Sequence, residues 1–348
     1  METAVRLPAE RLERWVADLL AGAGLEREAA STVAATLVDA SLRGVDSHGV
    51  ARTPIYVERL LAGGVNGRPQ PRIEREQGAL ALMDGDAGPG QVAGVRATDH
   101  SIALAQRYGA GVVAVRNSNH YGAAGYYAIR AARAGLIGIS TTNSDPLVIP
   151  FGGRDPALGT NPIAFAAPLP GGEVMCLDMA TSQVAMNKVF NARDDGRPIP
   201  EGWGVDAEGR TTTDPAAVAA GVPLGGYKGY GLAVMVEVLS GVLTGAGVAH
   251  SVGQLYGDRS TVQDVGSFHL AIDPAPLIGT DVFAERLAGL LAGLSAIPPA
   301  PGHDEVLVPG EPEARTREAR LRDGVPLQAE TWAAIQATAA DLGLAEPG

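Results

Sequence analysis

Cysteine is almost absent from this chain, which contains Cys176 and no other. The chain therefore cannot form an intramolecular disulfide or a metal site built from several thiolates. We expect a cytoplasmic protein, because a chain without disulfides suits a reducing compartment.

Histidine is also scarce, with six residues in 348. Four of the six have no partner at metal-ligand spacing. These four are His100, His250, His269 and His303. We therefore expect no bound metal.

Positive charge is in deficit, since 27 Lys and Arg residues face 39 Asp and Glu residues, for a net charge of −12. This sign disfavours a nucleic-acid partner, and no basic run with interleaved aromatics compensates. We expect no membrane span either, because Glu237 and several glycines interrupt the longest apolar stretch, 232–249. That stretch predicts a buried helix. Segment 1–13 is charged and lacks the apolar centre of a signal peptide.

Lysine occurs only at Lys188 and Lys228, so the other basic residues are all arginine. Lysine is a compact point charge that arginine does not replace at a tight oxygen cluster such as a ribose diol or a phosphate. The two lysines are therefore candidate functional residues, and chance survival is the alternative.

The most informative segment that is present is 46–52, with sequence DSHGVAR. It places His48 and Arg52 four residues apart, with Tyr56 four further on, which is one face of a helix. Arginine offers a planar fork to a carboxylate, and histidine exchanges protons near neutral pH. The spacing predicts a site for a 2-oxo acid. The alternative is a helix cap at 46 or 47, a histidine satisfied by the backbone and a solvated arginine.

Hydrophobic periodicity predicts helices followed by a βαβ-like unit. The predicted helices cover 12–20, 29–42 and 48–61. Strands at 79–83 and 111–115 are expected to flank a helix over 92–108.

The turn before that helix contains Gly88 and Gly90, and Gly94 follows them, a spacing typical of dinucleotide binding. A Rossmann unit is nevertheless disfavoured, because Pro89 removes an N–H from the turn and Arg116 stands where an acidic residue is expected.

The rest of the chain alternates short elements with turns. We expect strands within 136–169, a buried strand at 174–178, a helix through Lys188, a polar surface segment at 196–215, an apolar helix over 232–243, a charged segment at 298–322 and a final helix over 329–342.

Five motifs, taken in order, resemble the type-2 malate/L-lactate dehydrogenase family. They are DSHG at 46–49, NHYGA at 119–123, TNP at 160–162, DMATS at 178–182 and GGYKGYG at 225–231. The resemblance covers nearly the whole chain. The family also contains ureidoglycolate, sulfolactate and diketogulonate oxidoreductases, and reductases of cyclic imino acids such as Δ1-piperideine-2-carboxylate.

The resemblance implies an oxidoreductase that transfers hydride between NAD or NADP and a small 2-oxo or 2-hydroxy acid. The alternative within the family is a reductase of a cyclic 2-imino acid. The implied fold is α/β and non-Rossmann, of the malate/sulfolactate dehydrogenase type. It has a nicotinamide-binding mixed-sheet domain at 76–299 and a helical domain, 1–75 with 300–348, for substrate and dimer contacts. The implied assembly is a homodimer with active sites at the subunit interface.

The resemblance also implies catalytic roles for two histidines, and these roles compete. His48 is similar to the proton donor or acceptor of imine-reducing members, with Ser47 and Asp178 as an orienting relay. In that relay, Asp178 is expected to raise the basicity of the imidazole. His120 is similar to the base of ureidoglycolate-type members. Arg52, expected beside His48, favours His48 as the proton donor.

The remaining implied positions divide between substrate and cofactor. The substrate-binding positions are Arg52, Tyr56 and Thr160. The cofactor-binding positions are His120, Ser144, Asp178, Met179, Ala180, Lys188 and Lys228, with Gly310 and Glu311 completing the nicotinamide site. The chain departs from the family at Asn187, where glycine is frequent, and at Tyr121, where phenylalanine is frequent.

Two other classes of function compete with an oxidoreductase. A catalytically inactive ligand-binding protein is disfavoured by the retained polar residues of the motifs. A serine hydrolase is disfavoured because no Gly-x-Ser-x-Gly motif is present. In addition, Ser47 is adjacent in sequence to His48, which we expect to place it poorly for a hydrogen bond.

Overall fold

The computed structural model describes the backbone of residues 3–347 and side chains from residue 5. Positions 1, 2 and 348, which belong to the charged N-terminus and the expected terminal domain, lie outside the described residues. The helices are α1 Ala9–Gly22, α2 Arg27–Leu42, α3 Thr53–Ala62, α4 Gly90–Tyr108, α5 Gly125–Arg133, α6 Met186–Asp194, α7 Tyr227–Glu237, α8 Ala275–Ile278, α9 Thr280–Ser295, α10 Glu311–Asp323 and α11 Ala329–Asp341. The strands are β1 Thr3–Leu7, β2 Arg72–Gln77, β3 Leu80–Asp84, β4 Ala110–Ser118, β5 Ile137–Thr142, β6 Ile163–Pro168, β7 Val174–Met179, β8 Gly204–Val205, β9 Ala220–Gly221, β10 Val265–Ile272 and β11 Val325–Gln328.

A seven-stranded mixed sheet forms the centre of the molecule, in the order β2-β3-β4-β10-β5-β6-β7. Strands β3 and β4 are parallel and are joined by α4, which confirms the predicted βαβ unit. Strand β10 pairs antiparallel with both β4 and β5 and therefore separates the first half of the sheet from the second. A Rossmann sheet has no such central antiparallel strand.

The terminal segments share one hydrophobic core. Strand β1 pairs with β11, and buried side chains of α1, α2 and α11 meet beside this pair. Leu12 and Leu37 are completely buried, as is Ile335 from the other end of the chain. Burying each such side chain contributes about 1.5–3 kcal/mol. This core supports the segment that carries His48 and Arg52.

The predicted helix over 48–61 was wrong in its first turn. Two short 3-10 turns, Asp46–His48 and Val50–Arg52, precede α3, which begins only at Thr53. Pro54 explains this start, because proline lacks the N–H that a helix interior needs and is tolerated only in the first turn. His48, Arg52 and Tyr56 therefore do not share one helical face.

The glycines in the first turns of α4 serve packing. A Cβ on Gly94 would lie 2.6 Å from Cε1 of Tyr127, and a Cβ on Gly90 would overlap the carbonyl oxygen of Asn119. These glycines allow a helix and a loop to approach closely, which agrees with the doubt about a dinucleotide-binding turn.

Two further expectations need correction. Strand β7 is an edge strand in which only Cys176 is buried, so it is not a buried strand. The apolar segment at 232–243 is not fully buried, because Val242 and Leu243 are 60% and 57% exposed. Within the described residues, no helix has the length and hydropathy to cross a membrane.

Candidate active site

A cavity of about 810 Å³ brings together most of the residues singled out from the sequence. Its wall combines the 3-10 turns before α3, the segment before α5, the end of β7, the start of α6 and the loop before α10. The expected site residues on this wall are Ser47, His48, Arg52, His120, Ser144, Thr160, Asp178, Met179, Ala180 and Gly310.

The two histidines lie side by side on the cavity wall. The rings of His48 and His120 are stacked, with centroids 5.7 Å apart and an interplanar angle of 17°. Burial, followed by the charge of Arg52, lowers the pKa of His48 to about 3. The same causes, with His48 as a further neighbour, lower the pKa of His120 well below its usual value. Both imidazoles are therefore neutral at physiological pH.

Ser47 and His48 form a hydrogen bond, with 3.0 Å between Oγ and Nδ1. The expectation that adjacency in sequence prevents this contact was wrong, because the 3-10 turn brings the two side chains together. The contact does not by itself make Ser47 a nucleophile, since the chain still lacks the motif that exposes a catalytic serine.

Arg52 is 6% exposed and its guanidinium is held by three neighbours. Nε donates to the carbonyl oxygen of Ser47 at 2.7 Å, and an Nη lies 3.5 Å from Oδ1 of Asn187. The third neighbour is the hydroxyl of Tyr256. No carboxylate pairs with Arg52 among the described residues, so its positive charge is available to an anionic ligand. Sequence reasoning missed Tyr256, which lies 204 residues away along the chain.

Tyr56 does not line the large cavity, so the structure does not place it with substrate. Its hydroxyl lies 2.7 Å from Nδ1 of His120 and accepts a hydrogen bond from Nε2 of Gln91 at 3.0 Å. Tyr56, Gln91 and His120 also border a separate small cavity of about 20 Å³. Tyr56 therefore lies behind His120 as seen from the large cavity.

Asp178 lies at the end of β7, but the expected relay to His48 is not formed. The carboxylate accepts the backbone N–H of Gly125 at 2.8 Å, and it makes no hydrogen bond to Ser47 or His48 in the described structure. Enclosure by the cavity wall desolvates the carboxylate and raises the pKa of Asp178 to about 6, although its side chain is accessible from the cavity. The expected increase in the basicity of His48 is also absent, because its pKa is lowered.

Ser144 and Thr160 form one corner of the wall. The backbone N–H of Thr160 donates to Oγ of Ser144 at 3.1 Å, and the carbonyl of Thr160 accepts the N–H of Thr181 at 2.9 Å. These bonds hold the corner through backbone groups. The groups of Thr160 that make these two bonds belong to its backbone, not to its side chain.

Three expected cofactor residues lie away from the cavity wall. Lys188 and Lys228 are exposed, on α6 and at the start of α7. The carboxylate of Glu311 accepts the N–H of Val308 at 3.1 Å and pairs with Arg315 at 2.6 Å. Glu311 therefore orders the first turn of α10, and the nearby Gly310 lines the cavity.

The cavity suits a nicotinamide nucleotide together with a small acid, because its volume falls in the upper range of ligand sites. Small residues at 122–125 line it. A Cβ on Gly125 would lie 2.7 Å from Oδ2 of Asp178, and a Cβ on Gly310 would lie 2.8 Å from the carbonyl oxygen of Cys176. Glycine at both positions therefore lets the backbone pack closely against β7 on the cavity wall. In the described part of the chain, no cluster of His, Cys, Asp or Glu is arranged to hold a metal.

The chain is similar to several characterised proteins along nearly its full length. Residues 7–336 match the sequence profile of the family described as malate/L-lactate dehydrogenase. The chain is 41% identical to ureidoglycolate dehydrogenase (NAD(+)) from Escherichia coli K12, over 93% of each chain. It is 41% identical to malate dehydrogenase from Pyrococcus horikoshii, over 99% of this chain and 97% of that protein.

The similarity extends to a solved structure. Sulfolactate dehydrogenase from Methanocaldococcus jannaschii superimposes with a TM-score of 0.91 and 38% identity, over 98% of each chain. This match confirms the α/β fold expected from the motifs.

Proposed function

Since the chain belongs to the malate/L-lactate dehydrogenase family, we propose that it interconverts a small 2-hydroxy acid and the corresponding 2-oxo acid with a nicotinamide cofactor. One observation carries the proposal. The unpaired cation Arg52 shares a cavity wall with two neutral histidines. A carboxylate on Arg52 brings the neighbouring C2 oxygen to the imidazoles.

The residues divide into three roles. Arg52 binds the substrate carboxylate, with Asn187 and Tyr256 fixing the direction of its guanidinium. His48 and His120 contact the C2 oxygen. The backbone at 178–180 and the small residues at 122–125 hold the nicotinamide end of the cofactor. A bound reduced nicotinamide supplies the hydride, and the protein supplies orientation and a proton.

We propose that the cofactor is NAD rather than NADP, because the cavity wall offers little free positive charge for a further phosphate. A 2′-phosphate needs a free cation, and arginines of this wall are limited to Arg43 and Arg52 within the described residues. Arg43 is paired with Asp39 at 2.9 Å. The name of the Escherichia coli relative, which includes NAD(+), agrees with this choice.

The same charges favour a substrate with one carboxylate. Arg52 neutralises one negative charge, while Asp145 and Asp178 on the wall repel a second. We therefore propose a 2-hydroxy monocarboxylate whose side chain is neutral, as in lactate or ureidoglycolate, over the dianions malate and sulfolactate. The amide of Asn187, beside Arg52, offers hydrogen bonds to a neutral polar side chain.

One set of assays tests these proposals. NADH and NADPH are titrated first, and then NADH oxidation is followed with 2-oxo monocarboxylates, oxaloacetate, sulfopyruvate and cyclic 2-imino acids. We expect NADH to bind more tightly than NADPH and 2-oxo monocarboxylates to give the highest kcat/KM. If neither cofactor binds at millimolar concentration, the proposed dehydrogenase activity is wrong. If a dianion or an imine gives the highest kcat/KM, the proposed substrate class is wrong and that compound takes its place.

We further propose that a second copy of the chain covers the apolar face of α7 and the residues after it. Met235, Val238 and Val242 are exposed there, although each is a large apolar side chain. Such a contiguous apolar surface is typical of an interface, and the resemblance implies a homodimer. Light scattering measures the mass in solution, which should be that of a dimer. V242E should dissociate the dimer, whereas L80E, at an equally exposed leucine on β3, should not.

A further inference from the structure

The proton of His120 is confined to one ring nitrogen by its neighbours. The backbone N–H of Gly122 donates to Nδ1 of His120 at 3.2 Å. A backbone N–H can only donate, so Nδ1 must be the acceptor. Because the lowered pKa keeps the ring neutral, its single proton resides on Nε2.

Tyr56 and Gln91 reinforce the same assignment. The amide nitrogen of Gln91, which is 1% exposed, donates to the hydroxyl oxygen of Tyr56 at 3.0 Å. That oxygen therefore acts as an acceptor toward Gln91. The Tyr56 hydroxyl hydrogen is left for Nδ1 of His120, 2.7 Å away. The chain of donors runs in one direction, from Gln91 through Tyr56 to His120.

The backbone of the same segment is also held. The N–H of His120 donates to Oε1 of Gln263 at 3.1 Å, and the Gln263 N–H donates to Oδ1 of Asn119 at 3.1 Å. These bonds fix the backbone of His120 against Gln263 and so restrict the direction of its side chain. Among the described residues, Nε2 of His120 has no hydrogen-bond partner, and His120 lines the large cavity.

His48 differs from His120 in this respect. The partner of its Nδ1 is the hydroxyl of Ser47, which can either donate or accept. Rotation of that hydroxyl lets the His48 proton reside on either nitrogen. One imidazole of the stacked pair is therefore fixed in its tautomer and the other is free.

We infer that Tyr56 and Gln91 are positioning residues that lock His120 as an Nε2–H donor, so that His120 polarises the C2 oxygen and His48 exchanges the proton. This inference rests on the proposed function. In reduction, C2 gains a hydride, the C=O π bond breaks, and its electron pair takes a proton from His48, which is neutral in the resting protein and first takes that proton from solvent. His120 keeps its own proton and stabilises the developing alkoxide. In oxidation, His48 takes the hydroxyl proton, because the protonated Nε2 of His120 has no lone pair to receive it.

The tautomer can be measured without any ligand. In protein labelled with ¹⁵N-histidine, two-bond ¹H–¹⁵N spectra distinguish a protonated ring nitrogen from an unprotonated one, and H120Q assigns the His120 signals. We expect Nδ1 of His120 to be unprotonated and Nε2 protonated from pH 5.5 to 8. A protonated Nδ1, or an even mixture of tautomers, in the wild-type protein would overturn the inference whatever the activity.

Variants then test the two positioning residues. Y56F should leave only the longer, 3.2 Å bond from Gly122 to Nδ1. Because that bond can break when the ring takes the other tautomer, a fraction of the Nδ1–H form should appear and kcat should fall by about tenfold or more, with little change in the KM set by Arg52. Y121F is the matched control, because it removes a buried tyrosine hydroxyl that contacts Ser140 instead. If Y56F changes neither tautomer nor kcat, the role of Tyr56 is wrong. If the tautomer is as expected but no nicotinamide binds, the proposed function fails and the tautomer assignment stands.

Discussion

At the scale of single residues, the sequence predicted which side chains gather but not how they are connected. His48, Arg52 and His120 do line one cavity. The residues that hydrogen-bond to them could not be predicted. The Tyr56–His120 bond, for example, joins positions 64 residues apart, and no local sequence pattern indicates it. The lysines are a different case: rarity in composition suggested a function, and Lys188 and Lys228 are exposed outside the cavity wall, so their role stays a prediction.

Arg52 offers the first test at this scale. R52K keeps the positive charge but loses the planar fork, so it should raise KM and lower kcat/KM by about tenfold to a hundredfold. NADH affinity should stay nearly unchanged. Steady-state kinetics and an NADH titration measure both, with R68K at an exposed arginine as the control. Unaltered kinetics in R52K would place the carboxylate elsewhere.

The pH dependence of reduction separates the two histidines. His48 has a pKa of about 3 in the free protein, so its protonated fraction grows as pH falls from 8 toward 5. Reduction should accelerate in that direction. H48A should lower kcat by about 10²–10⁴ and abolish the acceleration.

H120A should also lower kcat, by about 10²–10³, because a donor to the alkoxide is lost. It should nevertheless retain the pH dependence, since His48 still supplies the proton. The reverse pattern, with the pH dependence lost in H120A and kept in H48A, would exchange the two roles.

At the scale of secondary structure, apolar periodicity was sufficient for α1, α2 and α11 and for the βαβ unit around α4, but it missed α5, α9 and α10. It did not reveal that β10 lies between β4 and β5, because that pairing joins strands far apart in the chain. Pro54 could have predicted the start of α3. The spacing of His48, Arg52 and Tyr56 instead led to a predicted helix that began too early. Edge positions such as β7 depend on tertiary neighbours, which a short sequence window does not contain.

Gly49, between the two 3-10 turns, tests how this segment is held. A Cβ at this position would overlap Oγ of Ser41 and lie 3.1 Å from the Ser41 backbone nitrogen. G49A should therefore destabilise the protein by about 1–3 kcal/mol and raise KM, because His48 and Arg52 flank the displaced residue. Urea unfolding and kinetics measure the two effects.

The matched control is G289A, in the interior of α9, where a Cβ would meet no atom within 4 Å. That substitution should be neutral or slightly stabilising. Equal stability of G49A and the wild-type protein would mean that the two turns are held less tightly than the contacts with α2 indicate.

At the scale of the whole molecule, buried neutral histidines couple stability to pH. Burial lowers the pKa of His269 to about 3, and both cavity histidines are lowered as well. In the unfolded chain each would bind a proton near pH 6.5. Between pH 6.5 and 3 the unfolded state therefore binds more protons, and stability must fall as pH falls. Burial also raises the pKa of four carboxyls, which act in the opposite direction: Asp178, to about 6, and Asp145, Asp264 and Glu13. The carboxyls whose pKa is lowered act with the histidines: Asp84, Asp206, Asp258, Glu305 and Asp323.

The free energy of urea unfolding, measured at pH 7, 6 and 5 and at fixed protein concentration, should therefore decrease toward acid. Each excluded proton contributes about 1.4 kcal/mol per pH unit below 6.5. H269Q should reduce this slope by up to about 1.4 kcal/mol per pH unit, the contribution of one proton. His269 is 1% exposed, and its ring nitrogens contact Thr98 and Ser267 among the described residues. H303Q, at an exposed histidine, should leave the slope unchanged. A wild-type stability that stays constant from pH 7 to 5 would contradict the neutral state of these histidines, and with it the tautomer assigned to His120.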